Sequence, residues 1–169
     1  MALSKIQAES MNLADTYAFS GTVSGTSVSG SAAFMARNDS SSWTTLADEA
    51  ICPFNNDSTG DSFDTDGVYN TSTYKFVAPA TGVYFFHYSV YTANADSING
   101  FGFLKNSAPL DSQHNAGESF SYNQGEDDDH IQSSSVIINL ASGDTIAVCS
   151  VDSSDFHLGH SHWGGCRLA

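Results

Sequence analysis

The sequence predicts an all-β fold, a sandwich or jelly roll of at least eight short antiparallel strands. Three observations predict it. Ser, Thr, Asn, Gly and Asp are abundant and helix formers sparse, while 40% of residues are hydrophobic and 12% aromatic, enough for a core. Short aromatic and β-branched runs recur between turn signals. No apolar repeat at the helical period of about 3.6 residues is sustained through the body of the chain.

Taken in order, residues 1–31 differ from the rest. MALSKIQAESMNLADTYAF carries loosely spaced apolar residues, and the following FSGTVSGTSVSGS is a low-complexity Ser/Gly/Thr/Val run. We expect an extended arm and linker over residues 1–31 and a β-domain over residues 32–169. AAFMARN is expected to be the first strand. TYKFV, residues 73–77, is a short strand that stops at APATG, where Pro79 and Gly82 mark a turn. GVYFFHYSVYT, residues 82–92, is the strongest strand, with Tyr84, Phe86, Tyr88 and Val90 on one face and Phe85, His87, Ser89 and Tyr91 on the other. Both faces are largely apolar or aromatic, so the strand should be central and covered on both sides. NGFGFLKN and AGESFSY are further strands, GEDDDH is an acidic turn, and HIQSSSVIINL leads through the tight turn ASGD into TIAVCSV. DSSDFHLGH is expected to be a loop and SHWGGCRLA the closing strand.

Three separated runs carry a family resemblance. YKFVAPATGVYFFHYSVYT resembles the core signature of the globular heads of complement first-component q subunits, which belong to the tumour-necrosis-factor-like jelly rolls; Phe76, Pro79, Gly82, Tyr84 and Phe86 are the matching positions. Pro53, Phe54, Asn55 and Tyr69 are similar to an upstream segment of that family. Leu140, Gly143, Asp144 and Ile146 match its penultimate hairpin, and Ser161, Trp163, Gly165 and Leu168 its last strand. The resemblance covers about residues 32–169 and implies a jelly roll of about ten strands that forms a homotrimer about a threefold axis, with Phe76, Tyr84, Phe86, Trp163 and Gly165 as core or trimer packing residues. Trp163 and Arg167 depart from the usual pattern, and no Gly-X-Y stalk precedes the domain. Separately, LSKIQAESMNLADTYAFSGTVSG resembles the opening of small structural proteins of marine tailed bacteriophages.

Charge limits the partners. Five Lys+Arg face nineteen Asp+Glu, a net charge of −14. Such a surface is repelled by nucleic acid and by anionic membranes, so neither nucleic-acid binding nor membrane insertion is expected. MALSKIQAES lacks the apolar core of a secretory signal, which points away from that export route. Cys52, Cys149 and Cys166 have no CxxC spacing and read as small semi-buried apolar residues, with one disulfide and a leftover thiol as the alternative.

Two candidate cation sites emerge. His160 and His162 are two apart, so on a regular strand they share a face; three copies about an axis would supply six imidazoles, suited to a transition metal. His157 is placed in the preceding loop, where it adds little. Asp64 and Asp66, followed by Gly67, resemble part of a calcium loop, but Ser62 and Thr73 occupy positions where a complete loop has carboxylates. No cofactor is certain from the sequence: a divalent cation, calcium or a transition metal, is the candidate, and the alternative is ordinary histidines on an exposed or interfacial face beside a solvated acidic loop. The chain lacks G-x-S-x-G, H-E-x-x-H and a P-loop, and enzymatic activity is not expected. The functional expectation is a virion structural protein, assembled in the host cytoplasm: a tail-fibre or spike knob that binds a host surface glycan or protein through its loops. Tyr122 and Phe156 are the candidate glycan-contacting aromatics, and the arm is expected to dock on other virion proteins. The alternatives are a capsid decoration or tail-cap protein, and a secreted complement-like lectin.

Overall fold

The computed structural model describes residues 32–38, 42–54, 60–92, 99–109, 121–123, 130–151 and 155–169. The expected arm, Asn55, most of AGESFSY and the acidic run at residues 125–129 lie outside them. The described residues contain twelve strands and no helix. They are β1 (Ala33–Arg37), β2 (Trp43–Thr45), β3 (Phe63–Asp64), β4 (Tyr69–Asn70), β5 (Lys75–Val77), β6 (Gly82–Thr92), β7 (Asn99–Lys105), β8 (Ala108–Pro109), β9 (Ser121–Asn123), β10 (His130–Leu140), β11 (Thr145–Val151) and β12 (Asp155–Arg167).

Two six-stranded antiparallel sheets face each other. One runs β10-β6-β12-β1-β3, with β2 also on β12; the other runs β4-β5-β11-β7-β8, with β9 also on β7. Chain neighbours such as β6 and β7 fall in opposite sheets, as a jelly roll requires. β6 is central in its sheet, paired along its whole length with β10 and over most of it with β12.

The period-two pattern of GVYFFHYSVYT explains the packing. Tyr84, Phe86, Tyr88, Val90 and Thr92 are fully buried between the sheets, while the intervening residues are half-buried. Around Phe86, the rings of Phe34, Phe76 and Trp163 interlock: Phe34 stacks on Phe76 at 5.4 Å and meets Trp163 edge-on at 4.7 Å, and Phe76 meets Phe86 edge-on at 5.0 Å. Buried tyrosines carry a hydroxyl that needs a partner. Tyr88 donates to the Phe101 carbonyl at 2.6 Å across the sandwich, and Tyr84 donates to Ala80 at 2.6 Å. Gly165 faces Phe86, where a Cβ would overlap the ring and approach the Phe85 carbonyl oxygen to 2.6 Å. Phe76, Tyr84, Phe86 and Trp163 are fully buried, and Gly165 is half-buried against the Phe86 ring.

Several expectations change. TYKFV is a strand only from Lys75, because Tyr74 adopts a left-handed φ of 59° in the preceding turn. DSSDFHLGH is not a loop throughout: β12 begins at Asp155 and pairs with β2 through His157. The strand was hidden by a register shift between His157 and His162, where Ser161 turns inward and breaks the alternation. β6 is central, but its second face, with Phe85, His87, Ser89 and Tyr91, is only half-buried by the described residues. The ASGD turn forms as expected, with Gly143 at φ 88°.

The thiols are free. Cys52 and Cys149 are buried and Cys166 is half-buried. Residues 49–52 extend the second sheet beside β11, through Glu49 N–H to Ser150 and Cys52 N–H to Val148. Burial pushes the Cys149 thiol up to about 12, with Glu49 and Asp48 adding repulsion, and burial raises Cys52 as well. Neither thiol is set up for nucleophilic chemistry.

Candidate functional site

The outer face of the β10-β6-β12-β1-β3 sheet is the candidate site. Register places its residues in rows. Ile137, Phe85, Cys166 and Ala33 form one row; Ser135, His87, Gly164 and Met35 the next; Ser133, Ser89, His162 and Arg37 a third. At the far end Ile131 and His157 flank Tyr91, and Trp43 flanks His157. These are the residues that strand alternation sends away from the core.

Large apolar side chains stand exposed on this face beside the polar rows. Six large hydrophobics are exposed among the described residues, and four of them lie here: Ile131 at 69%, Ile137 at 66%, Phe63 at 51% and Trp43 at 44%. Phe85 and Tyr91 add half-buried rings. Exposed apolar side chains gathered on one face are a common mark of a contact surface.

Histidines line the middle and far end. His162 and His87 face each other across β12 and β6 with ring centres 6.4 Å apart. Burial depresses the His162 pKa, and repulsion from His87 and Arg37 lowers it further. His160 and His162 border one groove of about 540 Å³ with Met35, Arg37 and Asp61. Arg37 and Asp61 form an ion pair of 2.6 Å there, which balances the local charge. The two histidines thus share a groove but not a ring contact. The ring beside His160 is His157, 4.4 Å away, with Tyr91 at 5.3 Å. Sequence reasoning assigned His157 to a loop and missed this pair. The signal available was the bare H-L-G-H-S-H spacing, which does not reveal a register shift.

Asp64 and Asp66 are occupied differently from one another. Asp64 organises its turn, accepting from the Val68 and Tyr69 backbone N–H groups at 2.9 Å each and from Asp66 N–H at 3.4 Å. Asp66 is exposed. Among the described residues no group of three His, Cys, Asp or Glu side chains is arranged to hold a metal. Of the expected glycan-contacting aromatics, Phe156 is fully buried, against Phe54 and Phe101 at 6.2 and 6.0 Å; this corrects the expectation, since the early start of β12 turns it into the core. The side chain of Tyr122 lies outside the described residues.

Two further matches tie sequence to structure. Tyr69 donates to the Phe54 carbonyl at 2.6 Å, joining the two upstream motif positions, and stacks on Phe34 at 5.1 Å. Burial raises its phenol pKa well above the ordinary range. Asp144 accepts from the Asn106 side chain and the Ala141 backbone at 2.9 Å each and pairs with Lys105 at 3.0 Å, holding the turn that carries the chain from β10 across to β11 in the other sheet.

Solved structures with the same fold include the globular domain of zebrafish complement 1qA protein, with a TM-score of 0.60 at 13% identity, covering 82% of this chain and 98% of that one. The Eiger tumour necrosis factor of S. frugiperda aligns with a TM-score of 0.59 at 13% identity over 82% and 93% of the two chains. Murine APRIL at pH 5.0 aligns at 0.55 and 11% identity over 82% and 99%. At these identities the likeness establishes the fold. No curated protein sequence matches the chain. A profile of the C1q domain matches residues 33–161, most of the chain and nearly all of the sandwich, and the chain accordingly belongs to the C1q domain family.

Proposed function

We propose that this protein is a non-enzymatic recognition head that acts as a homotrimer, packing through the outer face of the β10-β6-β12-β1-β3 sheet. The observation that carries this reading is the exposed Ile131, Ile137, Phe63 and Trp43 on one sheet face, with Phe85 and Tyr91 between them. Covering that face completes the burial of β6 that its sequence demands. Three chains multiply weak single-site recognition through avidity. The end for recognition is the one where β6, β10 and β12 meet at Thr92, His130 and Phe156, opposite the end where Ala32 enters.

The biological setting we propose is a virion: a tail-fibre or spike knob whose residues 1–31 dock on the particle and whose far end meets a host glycan or protein. The opening LSKIQAESMNLADTYAFSGTVSG, similar to marine phage structural proteins, supports it. A purely structural decoration protein and a secreted complement-like lectin are the other outcomes of the test. Sedimentation of tag-free protein should give three times 17.9 kDa; a monomer at micromolar concentration overturns the assembly. Gold labelling of purified particles should mark tail tips. Labelling over the capsid lattice would reassign the protein to decoration, and recovery of the native protein from a cellular secretory fraction would reassign it to a lectin.

A further inference from the structure

Self-association explains the apolar rows of the outer face but not the geometry of His157 and His160. Their ring centres are 4.4 Å apart with planes inclined at 46°. Two imidazoles bound side by side to one metal, with metal–nitrogen bonds of about 2.0–2.1 Å, hold their ring centres roughly 4.5–5 Å apart. The observed spacing is close to that of a chelating pair. A regular strand does not produce it, since residues three apart point to opposite faces. The register shift between His157 and His162 brings His160 round. Ser161 fixes the shift: its hydroxyl donates to the His157 carbonyl at 2.7 Å and accepts from the Tyr91 N–H at 3.0 Å.

A second observation points the same way. The Nδ1 atom of His157 is buried and has no hydrogen-bond partner among the described residues. A buried ring nitrogen in that state is costly. Trp43 stands edge-on to His157 at 5.1 Å, and Tyr91 lies 6.1 Å from His157 and 5.3 Å from His160, so aromatic groups flank the pair.

We propose that His157 and His160 form a bidentate site for a divalent late transition-metal ion, bound tightest as Cu²⁺ and less tightly as Ni²⁺ or Zn²⁺, with water in the remaining positions. Imidazole donors suit these ions, and Cu²⁺ heads their affinity order. No third metal-competent side chain joins the pair among the described residues, so two ring nitrogens hold the ion and it is exchangeable. This assignment gives His160 a different partner from His162. It does not rest on the assembly, because both ligands come from one chain.

The structure supplies its own reporter. Of the two tryptophans, Trp43 is 44% exposed beside the pair and Trp163 is buried in the core. Titrating CuCl₂ into tag-free protein should quench Trp43 fluorescence saturably at one ion per chain, with NiCl₂ weaker. His157→Gln and His160→Gln should each lower affinity by at least about a hundredfold, as loss of one arm of a chelate implies, while His162→Gln binds as the parent does. Trp43→Phe should remove the quenching but keep binding by calorimetry. If His157→Gln disturbs the near-ultraviolet circular dichroism, the exposed His160→Gln decides alone. Binding within about threefold of the parent in His160→Gln, or binding lost in His162→Gln, overturns the proposal.

Discussion

Replacing Ile137 by Ser tests the assembly face without touching the core. Ile137 is 66% exposed in the single chain, and its neighbours Val136 and Ile138 turn inward toward the core. Fully burying an Ile is worth about 1.5–3 kcal/mol, so covering the exposed two-thirds in an assembly is worth about 1–2 kcal/mol per chain. Three copies make about 3–6 kcal/mol per trimer, or roughly two to four decades in the trimer dissociation constant. Because that constant scales with the square of the free-chain concentration, the midpoint of dissociation should rise about ten- to a hundredfold. The stability of the isolated chain should change by less than about 0.5 kcal/mol. Sedimentation velocity over a dilution series reads the midpoint; where the trimer outlasts dilution, the denaturant concentration that dissociates it reads the same difference. Val77→Ser, 40% exposed on a strand of the other sheet, is the control. The reasoning is refuted if Ile137→Ser moves the midpoint by less than about threefold, or no further than Val77→Ser does.

Other substitutions probe the core and the titrating groups. Phe34→Ala removes a ring that contacts Phe76, Trp163 and Tyr69, and should cost about 3–5 kcal/mol in denaturant unfolding; a loss under about 1 kcal/mol would contradict the packing described. Gly165→Ala forces a methyl against the Phe86 ring and the Phe85 carbonyl, and should lower stability by about 1–3 kcal/mol, visible as a lower Tm. Asp144 is held down to about 2, first by the Asn106 side chain, then by the Ala141 N–H and Lys105. Its contribution is fully present above its ordinary value of 3.8 and is lost as pH falls toward 2, so Asp144→Asn should flatten the stability profile in that window. His162 has its pKa lowered, so the folded chain takes up that proton less readily than the unfolded one. Stability present above 6.5 declines as pH falls through the lowered value, and His162→Gln should reduce that decline in thermal melts across weak acid.

The strands legible in the sequence were those whose own pattern decides them. GVYFFHYSVYT, HIQSSSVIINL and TIAVCSV form β6, β10 and β11 with the expected bounds, because each carries aromatic or β-branched residues over its length and ends at a turn. Four short strands were not legible. β2, β3, β4 and β8 span two or three residues each and exist through their pairing with longer neighbours. Nothing local marks a two-residue strand; Phe63–Asp64 is one because Met35 and Phe34 are opposite. The candidate site was half legible for the same reason. His160 and His162 were visible as a pair by spacing, but the His157–His160 contact depends on a buried serine and on a neighbouring strand. Phe156 failed as a surface aromatic because the strand that buries it begins before the sequence signals it.

The pairing of β1 with β12 has a mechanical consequence. β1 enters at Ala33 beside Cys166 and runs toward the far end at Arg37 beside His162. A pull arriving through the chain before Ala32, against a hold at the far end, is directed along β1 itself. The five rungs from Ala33–Cys166 to Arg37–His162 then share the load in shear, where a perpendicular pull would open them one at a time. The bond from Arg167 N–H to the Ala32 carbonyl adds a further rung at the loaded end. Forced unfolding is set by the unfolding rate and not by equilibrium stability. A head tethered this way resists tension out of proportion to the length of its first strand.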